Sequence, residues 1–332
     1  MPEATIILIV ILAILFDVSN GWNDSANAIA TVVSTRVLTP LQAVLMAATM
    51  NILGALVSTA VAKTIGKGIV DPSVLSGHQG VVAAALVAGF IWNGLMTFFG
   101  LPVSASHALI GGVMGAGIAF GGVEILNLAG LTKIFTALLT SPIIGILFGF
   151  LCMKMLMRLF CNVAPGVLNK HFGRLQIVSS GFMAFTHGMN DAQKAMGVIT
   201  LALLIGGYIP TAEVPFWVII SCGLAMGLGT ALGGWRVIKT LGHQMLKLQP
   251  VHGFAAETSA VAVIAGASAF GLPVSTTHVI TTCIMGVGAT KRLSAVRWGV
   301  AGKILMAWII TLPACIGISW LTYKVLALVG VQ

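Results

Sequence analysis

Long apolar windows without a single Asp, Glu, Lys or Arg dominate this chain: 37–62, 72–123, 134–153, 195–212, 214–235, 258–290 and 304–323. Most suit one membrane helix of about 20 residues, and 72–123 holds two. Two further apolar segments are interrupted by acids, 4–33 around Asp17 and Asp24, and 177–205 around Asp191. The pairs 80–99 with 101–120 and 253–270 with 272–289 read either as full spans or as re-entrant hairpins, and both readings return the chain to the same side. The pattern predicts an all-α polytopic membrane protein with ten membrane segments, five on each side of a basic middle stretch.

Composition agrees. Charged residues are 8% and hydrophobic ones 58% of 332 residues, with a mean hydropathy of +1.05. A soluble fold could not cover its surface from so few polar groups, so soluble enzymes, nucleic-acid binders and disordered chains are excluded. Forty glycines suit closely packed membrane helices. The five cysteines, Cys152, Cys161, Cys222, Cys283 and Cys315, form no CxxC pair and read as small buried hydrophobes. The acidic start Met1-Pro2-Glu3 lacks the features of a cleaved signal peptide.

The net charge of +9 matters through its distribution. Basic residues cluster at Lys154, Arg158, Lys170 and Arg174, at Arg236, Lys239 and Lys247, and at Lys291, Arg292 and Arg297. The positive-inside rule puts these stretches and Arg36 in the cytoplasm. Glu124 and Glu213 fall outside, and so, against the rule, do Lys63 and Lys67. Both termini come out external on a multi-pass protein of the plasma (inner) membrane.

The chain also resembles itself. Gly100-Leu-Pro-Val-Ser-Ala-Ser-His107 recurs as Gly271-Leu-Pro-Val-Ser-Thr-Thr-His278, an offset of 171, and residues 100–117 and 271–288 agree at nine of 18 positions. Gly21-Trp-Asn-Asp24 recurs as Gly188-Met-Asn-Asp191, an offset of 167. Two motifs repeating in order at nearly one offset define two halves, 1–150 and 176–332, joined by a basic cytoplasmic connector at 151–175. An odd number of crossings per half inverts the second half, a construction of secondary transporters that bind substrate near the midplane.

Asp24 and Asp191 carry the first candidate chemistry. A carboxylate at mid-membrane costs on the order of 3 kcal/mol and must be paired, protonated or bound to a cation. Asn20, Asp24 and Asn27 share one helical face, and Asn23 and Asn190 directly precede the two acids. Gly21 and Gly188 are expected to let the helices unwind there. Asp and Asn oxygens with freed carbonyls suit Na⁺, at Asn23, Asp24, Asn190 and Asp191, and the carboxylates suit a proton equally. Lys194 stands three residues after Asp191, where the first half has Asn27 after Asp24. It either pairs with Asp191 as a tethered cation or snorkels to the interface. Glu257 stays open between a binding position and the surface, and His187 is placed to line a break at Gly188.

The repeated Pro-Val-Ser segments carry the second. Pro102 and Pro273 start helices that Ser104 and Ser275 cap, with the hydroxyls of Ser106, Thr276 and Thr277 beside them. Two such helix N-termini at membrane depth form an anion cradle without any Arg. His107 and His278 read as helix-to-helix hydrogen bonders.

At Gly21-Trp-Asn-Asp-Ser-Ala-Asn27, His187-Gly-Met-Asn-Asp191 and the two Gly-Leu-Pro-Val-Ser-x-x-His segments, the chain resembles the inorganic phosphate transporter (PiT) family. The resemblance spans nearly the whole chain and implies cation-coupled symport of inorganic phosphate, driven by H⁺ or Na⁺, in a compact prokaryotic-type member. By resemblance, Ser104, Ala105, Ser106, Ser275, Thr276 and Thr277 take phosphate roles. Asn20, Asn23, Asp24, Asn27, Asn190 and Asp191 take cation-coupling roles, with no tightly bound cofactor. Expected partners are phosphate, the coupling cation and the lipid bilayer, with a homodimer left open and nucleic acid excluded. Sulfate symport is the alternative within transport, and an anion channel the alternative outside it. No HExxH or GxSxG speaks for an enzyme.

Overall fold

The computed structural model describes residues 2–71, 73–75 and 77–330, together with all side chains there except those of Pro2, Glu3 and Lys67. Met1, Pro72, Ser76, Val331 and Gln332 lie outside the described residues, as does the expected placement of the Lys67 side chain. Among the described residues the chain is helical, with no strands beyond an isolated bridge between Val70 and Leu126.

One order of elements occurs twice. A long helix, α1 (Pro2–Ser34), precedes a bent pair, α2 (Pro40–Ala55) and α3 (Ala60–Gly68). Two shorter helices follow, α4 (Gly80–Phe99) and α5 (Ala105–Gly121), then a 3-10 turn at Val123–Ile125 and the long α6 (Leu128–Leu159). The second pass runs α7 (Pro165–Ile205), then the bent α8 (Phe216–Leu232) and α9 (Trp235–Lys239), which continues as a π turn at Thr240–Gln244. It ends with α10 (Pro250–Ala269), α11 (Thr276–Lys291), a 3-10 turn at Leu293–Ala295 and α12 (Trp298–Leu328). The bent pairs turn by 71° and 63°. Pro142 and Pro313 occupy the interiors of α6 and α12 at the same offset of 171 as the Pro-Val-Ser repeat.

Among the described residues, four helices have the length and apolarity to cross a membrane alone, in α1, α4, α6 and α12, and the two bent pairs raise this to six. The ten expected segments are all present as helices, but not all are full crossings. α5 and α11 are only 17 and 16 residues long. The linkers before them are hydrogen-bonded to Asn23 and Asn190, inside α1 and α7, so each linker turns within the apolar layer. Gly100 closes α4 in the left-handed region at φ 70°, and Gly271 follows α10 at φ 65°. α4–α5 and α10–α11 are therefore helical hairpins whose tips lie against the middle of α1 and α7, the shape expected of re-entrant pairs.

Leu139, Ile143, Leu147, Leu151 and Met155, spaced by four on α6, are exposed and form a face for lipid tails. α6 and α7 extend into the basic stretch, leaving only residues 160–164 outside helices. All five cysteines are free. Cys222, Cys283 and Cys315 are buried as expected, whereas Cys161 is exposed because it falls in that short turn.

Among the described residues the apolar interior splits into two large clusters and a small one around Trp92 and Cys315, and the division between the large ones locates the polar layer. Ile6 to Phe16 of α1 pack with Ala192 to Ile205 of α7 in one. Ala26 to Val32 of α1 pack with Met183 and Ala184 of α7 in the other. α1 and α7 thus cross antiparallel, and residues 17–25 and 185–191 lie where neither cluster reaches.

Glycines set two of the crossings. α1 and α7 stay helical through Gly21 and Gly188, so the expected unwinding does not occur. A Cβ at Gly188 would stand 2.2 Å from Asn51 O of α2, and one at Gly21 would stand 2.5 Å from Met226 O of α8. These residues are small because another backbone passes against them. Gly188→Ala is expected to lose about 1–3 kcal/mol by overpacking, read as a lower melting temperature in detergent. Gly266→Ala in α10, where a Cβ meets nothing within 4 Å, is the control and should not lower it.

Candidate functional site

The polar layer is assembled from α1, α7 and the tips of both hairpins. Asn20, Asn23, Asp24 and Asn27 on α1 and His187, Asn190, Asp191 and Lys194 on α7 are all buried to 1% exposure or less. Fully buried polar side chains need partners, and most of these find them between elements.

The asparagines hold the hairpin tips. Asn23 Nδ2 donates to Thr97 Oγ1 at 2.8 Å and to Leu101 O at 3.3 Å, and its Oδ1 accepts from Val103 N at 3.3 Å. In the amide orientation its neighbours satisfy, Asn190 donates to Val274 O and Asp191 Oδ1, each at 3.3 Å, and accepts from Ser268 Oγ at 2.8 Å. Both residues placed before the acids therefore act first as anchors for the linkers.

The tips carry the expected caps. Ser104 Oγ accepts from His107 N and Ser275 Oγ from His278 N, each at 3.2 Å. Ala105 and Thr276 are the first residues of α5 and α11. Ser106 Oγ donates to Val274 O at 3.1 Å, which brings the two tips together. Two helix N-termini with their partial positive charge thus meet beside the acids. His107 and His278 lie ring to ring at 4.8 Å, and His278 stacks on Trp308 at 3.8 Å; His107 Nδ1 and His278 Nε2 have no hydrogen-bond partner, so at those atoms ring packing takes the place of the expected helix-to-helix hydrogen bonds.

The second hairpin also reaches both acids. Thr277 Oγ1 donates to Asp24 Oδ1 at 3.0 Å, and Thr276 Oγ1 donates to Asp191 Oδ2 at 3.1 Å. Asn27 Nδ2 donates to Thr277 Oγ1 at 3.0 Å and to Thr276 Oγ1 at 3.4 Å. One threonine pair therefore links the acid of each half.

His187 stands between the acids, with Nε2 3.7 Å from Asp24 Oδ2 and 3.6 Å from Asp191 Oδ2. Its Nδ1 is 2.8 Å from Asn51 Oδ1, whose own Nδ2 donates to Thr230 Oγ1. Asn51 Oδ1 can only accept, which puts a hydrogen on Nδ1 and turns Nε2 toward the carboxylates. Asp24, His187 and Asp191 offer ligand atoms within 4.8 Å of one another. Asp24 Oδ2, Asn27 Oδ1 and His187 Nε2 have no hydrogen-bond partner. This donor set fits a cation.

The two acids differ. Lys194 Nζ lies 2.7 Å from Asp191 Oδ2 and is 1% exposed, so it pairs rather than snorkels. Among the described residues no ammonium is paired with Asp24.

Glu257 is fully buried, not at the surface. Thr31 Oγ1 and Ser179 Oγ donate to it in short hydrogen bonds, and Gln176 Nε2 donates at 3.2 Å, joining α1, α7 and α10. Gln193 is a residue that sequence reasoning missed. Its Oε1 accepts from Val61 N at 2.7 Å and Ala62 N at 3.1 Å, capping the start of α3 after the bend.

The profile of the phosphate transporter family matches residues 20–319. A Bacillus subtilis (strain 168) protein named "Probable low-affinity inorganic phosphate transporter" is 47% identical over 324 residues, 97% of each chain. A Rhizobium meliloti (strain 1021) protein of the same name is 45% identical over 95% of this chain and 94% of its own. A solved structure titled "The sodium-dependent phosphate transporter" superposes with a TM-score of 0.90 at 27% identity, over 98% of this chain and 99% of that one. These relatives are transporters, not enzymes.

Proposed function

Because this chain belongs to the phosphate transporter family, we propose that it carries inorganic phosphate across the plasma membrane by symport with a cation, Na⁺ before H⁺. The observation that carries the reading is the meeting of two capped helix N-termini with a pair of buried acids. The N-termini offer free N–H groups to an anion, and Asp24 keeps an unpartnered oxygen for a cation. The solved relative's title favours Na⁺.

Electrostatics asks for the same coupling. Bringing each phosphate charge into an inside-negative cell costs about 2.3 kcal/mol per 100 mV, which an accompanying cation removes. In this reading, Ser104, Ala105, Ser106, Ser275, Thr276 and Thr277 face phosphate. Asn20, Asn23, Asp24, Asn27, Asn190 and Asp191 serve the cation, with Na⁺ placed at Asn23, Asp24, Asn190 and Asp191.

The halves 1–150 and 176–332, joined through 151–175, are inverted copies that exchange conformations to open the site to either side. The antiparallel crossing of α1 and α7 and the twofold order of elements support this. With the basic stretches cytoplasmic, both termini are external.

Uptake of labelled phosphate into proteoliposomes, with Na⁺ and pH gradients imposed separately, tests the proposal. A cation gradient should accelerate uptake. Flux indifferent to both gradients is the result for a channel, and equal competition by sulfate the result for a general oxyanion carrier. Ser104→Ala or Ser275→Ala removes a cap oxygen beside the anion. Losing a hydrogen bond to a charged group costs about 1.5–3 kcal/mol, so phosphate affinity should fall roughly tenfold to a hundredfold. Wild-type affinity in both variants would remove the tips from the phosphate site.

A further inference from the structure

The stretch 245–249 that leads into α10 and the end of α11 enclose a cavity of about 360 Å³, apart from the site at the hairpin tips. Lys247 and Gln249 line it from that stretch, His252 from the first turn of α10, and Lys291 and Arg292 from the end of α11. Leu246 and Val287, both buried, give it an apolar wall. No Asp or Glu lines it. Among the described residues every ion pair lies in the polar layer, so none of the three cations is paired with a carboxylate. Like charges around one concavity with an apolar wall focus their field into it and attract an anion. His252 Nδ1 accepts from Gln249 N at 3.2 Å, which leaves the ring hydrogen on Nε2 as a further donor.

The positive-inside rule accounts for basic residues on this side of the membrane, but not for their gathering around a cavity. The internal repeat shows that the fold does not require it. The offset of 171 pairs Lys291 with Phe120, Gln249 with His78 and Arg292 with Gly121. In the first half the rings of Phe120 and His78 lie 4.4 Å apart, in the place where the second half has Lys291 and Gln249. The cations are thus particular to the half whose hairpin ends face the cytoplasm. Trp298, 53% exposed, donates through Nε1 to Leu293 O in the adjoining 3-10 turn. An exposed Trp at such a turn belongs at headgroup level, so the cavity is within reach of lipid headgroups and of cytosolic solutes alike.

We propose that this cavity binds a phosphate group at the cytoplasmic surface, carried by an anionic lipid or free in the cytosol. The planar guanidinium of Arg292 suits two phosphate oxygens at once, and Lys247 and Lys291 add charge. An occupant ties the start of α10 to the end of α11, the two limbs of the second hairpin. It sits at the opposite end of α11 from Thr276 and Thr277, and a helix of 16 residues is about 24 Å long, so it is not the phosphate held at the tips. The site stands whether or not the tips carry phosphate, and only its cytoplasmic placement shares the orientation used above.

The test compares wild type with two variants that each remove three charges. One carries Lys247→Gln, Lys291→Gln and Arg292→Gln in the cavity, and the other Arg158→Gln, Lys170→Gln and Arg174→Gln, all exposed and outside it. One arm follows melting in detergent as phosphatidylglycerol replaces phosphatidylcholine. The other follows binding of ³²P-labelled inorganic phosphate by equilibrium dialysis without lipid. Each cation near a phosphate headgroup is worth about a fivefold change in affinity, so the cavity variant should bind roughly a hundredfold more weakly, while the second variant follows wild type. Loss in the lipid arm alone identifies a headgroup. Loss of one class of ³²P sites, with the class at the tips retained, identifies free phosphate, and loss in both arms means that either source serves. Circular dichroism and elution profile check folding. If the cavity variant does not fold, Gln249→His with Lys291→Phe, which brings the first half's ring pair into the cavity, decides by the same readouts. Curves for the cavity variant that superimpose on wild type in both arms overturn the site. So does an equal loss in the second variant, which would mean attraction by the basic face as a whole.

Discussion

Asp24→Asn is expected to abolish cation-driven phosphate uptake while leaving the protein folded. Asp24 Oδ1 accepts from Thr277 Oγ1, and Oδ2 has no hydrogen-bond partner and faces His187 Nε2 at 3.7 Å. An amide fits the same space and keeps an oxygen for Thr277, but it carries no charge to hold a cation. Losing the partner of a bound, desolvated charge typically costs 3–5 kcal/mol, a weakening of more than a hundredfold. Asp191→Asn should also abolish coupled uptake, for a different reason. It strands the Lys194 ammonium at 1% exposure without a carboxylate. The second variant should therefore be the less stable of the two, which thermal melting in detergent can rank. Coupled uptake at the wild-type rate in either one, with unchanged cation dependence, removes that acid from the mechanism.

Much of this site could be read in the sequence because it is local and repeated. A Pro-Val-Ser run specifies its own helix start, and both capping serines do what their position predicts. Asn, Asp and Asn at i, i+4 and i+7 (Asn20, Asp24 and Asn27) share a helix face wherever the helix goes. What stayed hidden depends on which helices cross. Gly21 and Gly188 carry no mark that separates a helix break from a close crossing, and only Met226 and Asn51 on other helices decide it. His187 looked like a neighbour of Gly188, and its position between two acids from opposite halves needs the antiparallel packing of α1 on α7. Glu257 has no repeat partner, and the three residues that satisfy it lie 226, 81 and 78 positions away. One legible signal went unused, since Pro142 and Pro313 repeat the offset of 171 and announce matching final helices.

The asymmetry between the halves gives the remaining large effect. Lys194 occupies the place after Asp191 that Asn27 occupies after Asp24, and its ammonium is already against the carboxylate. We expect Asp191 to draw part of its counter-charge from the chain itself, so that an ion placed between the two acids is held mainly by Asp24. Lys194→Asn recreates the first half's pattern in the second. Uptake should then need one more ion, visible as a steeper dependence of initial rate on Na⁺ concentration. Lys194→Ala leaves Asp191 with Thr276 Oγ1 and Asn190 but no charge partner. Breaking a buried pair by removing one member typically costs about 3–5 kcal/mol, and a Na⁺ ion can restore part of it. The alanine variant should accordingly be thermally unstable without Na⁺ and gain more from added Na⁺ than wild type does, because a ligand that binds only the folded state stabilises it. The two readouts are independent, one kinetic and one thermal. Superimposable rate curves for wild type and Lys194→Asn, with equal Na⁺ stabilisation of wild type and Lys194→Ala, would mean that Lys194 pairs with Asp191 only to hold α7 in shape. Coupling would then not distinguish the two acids.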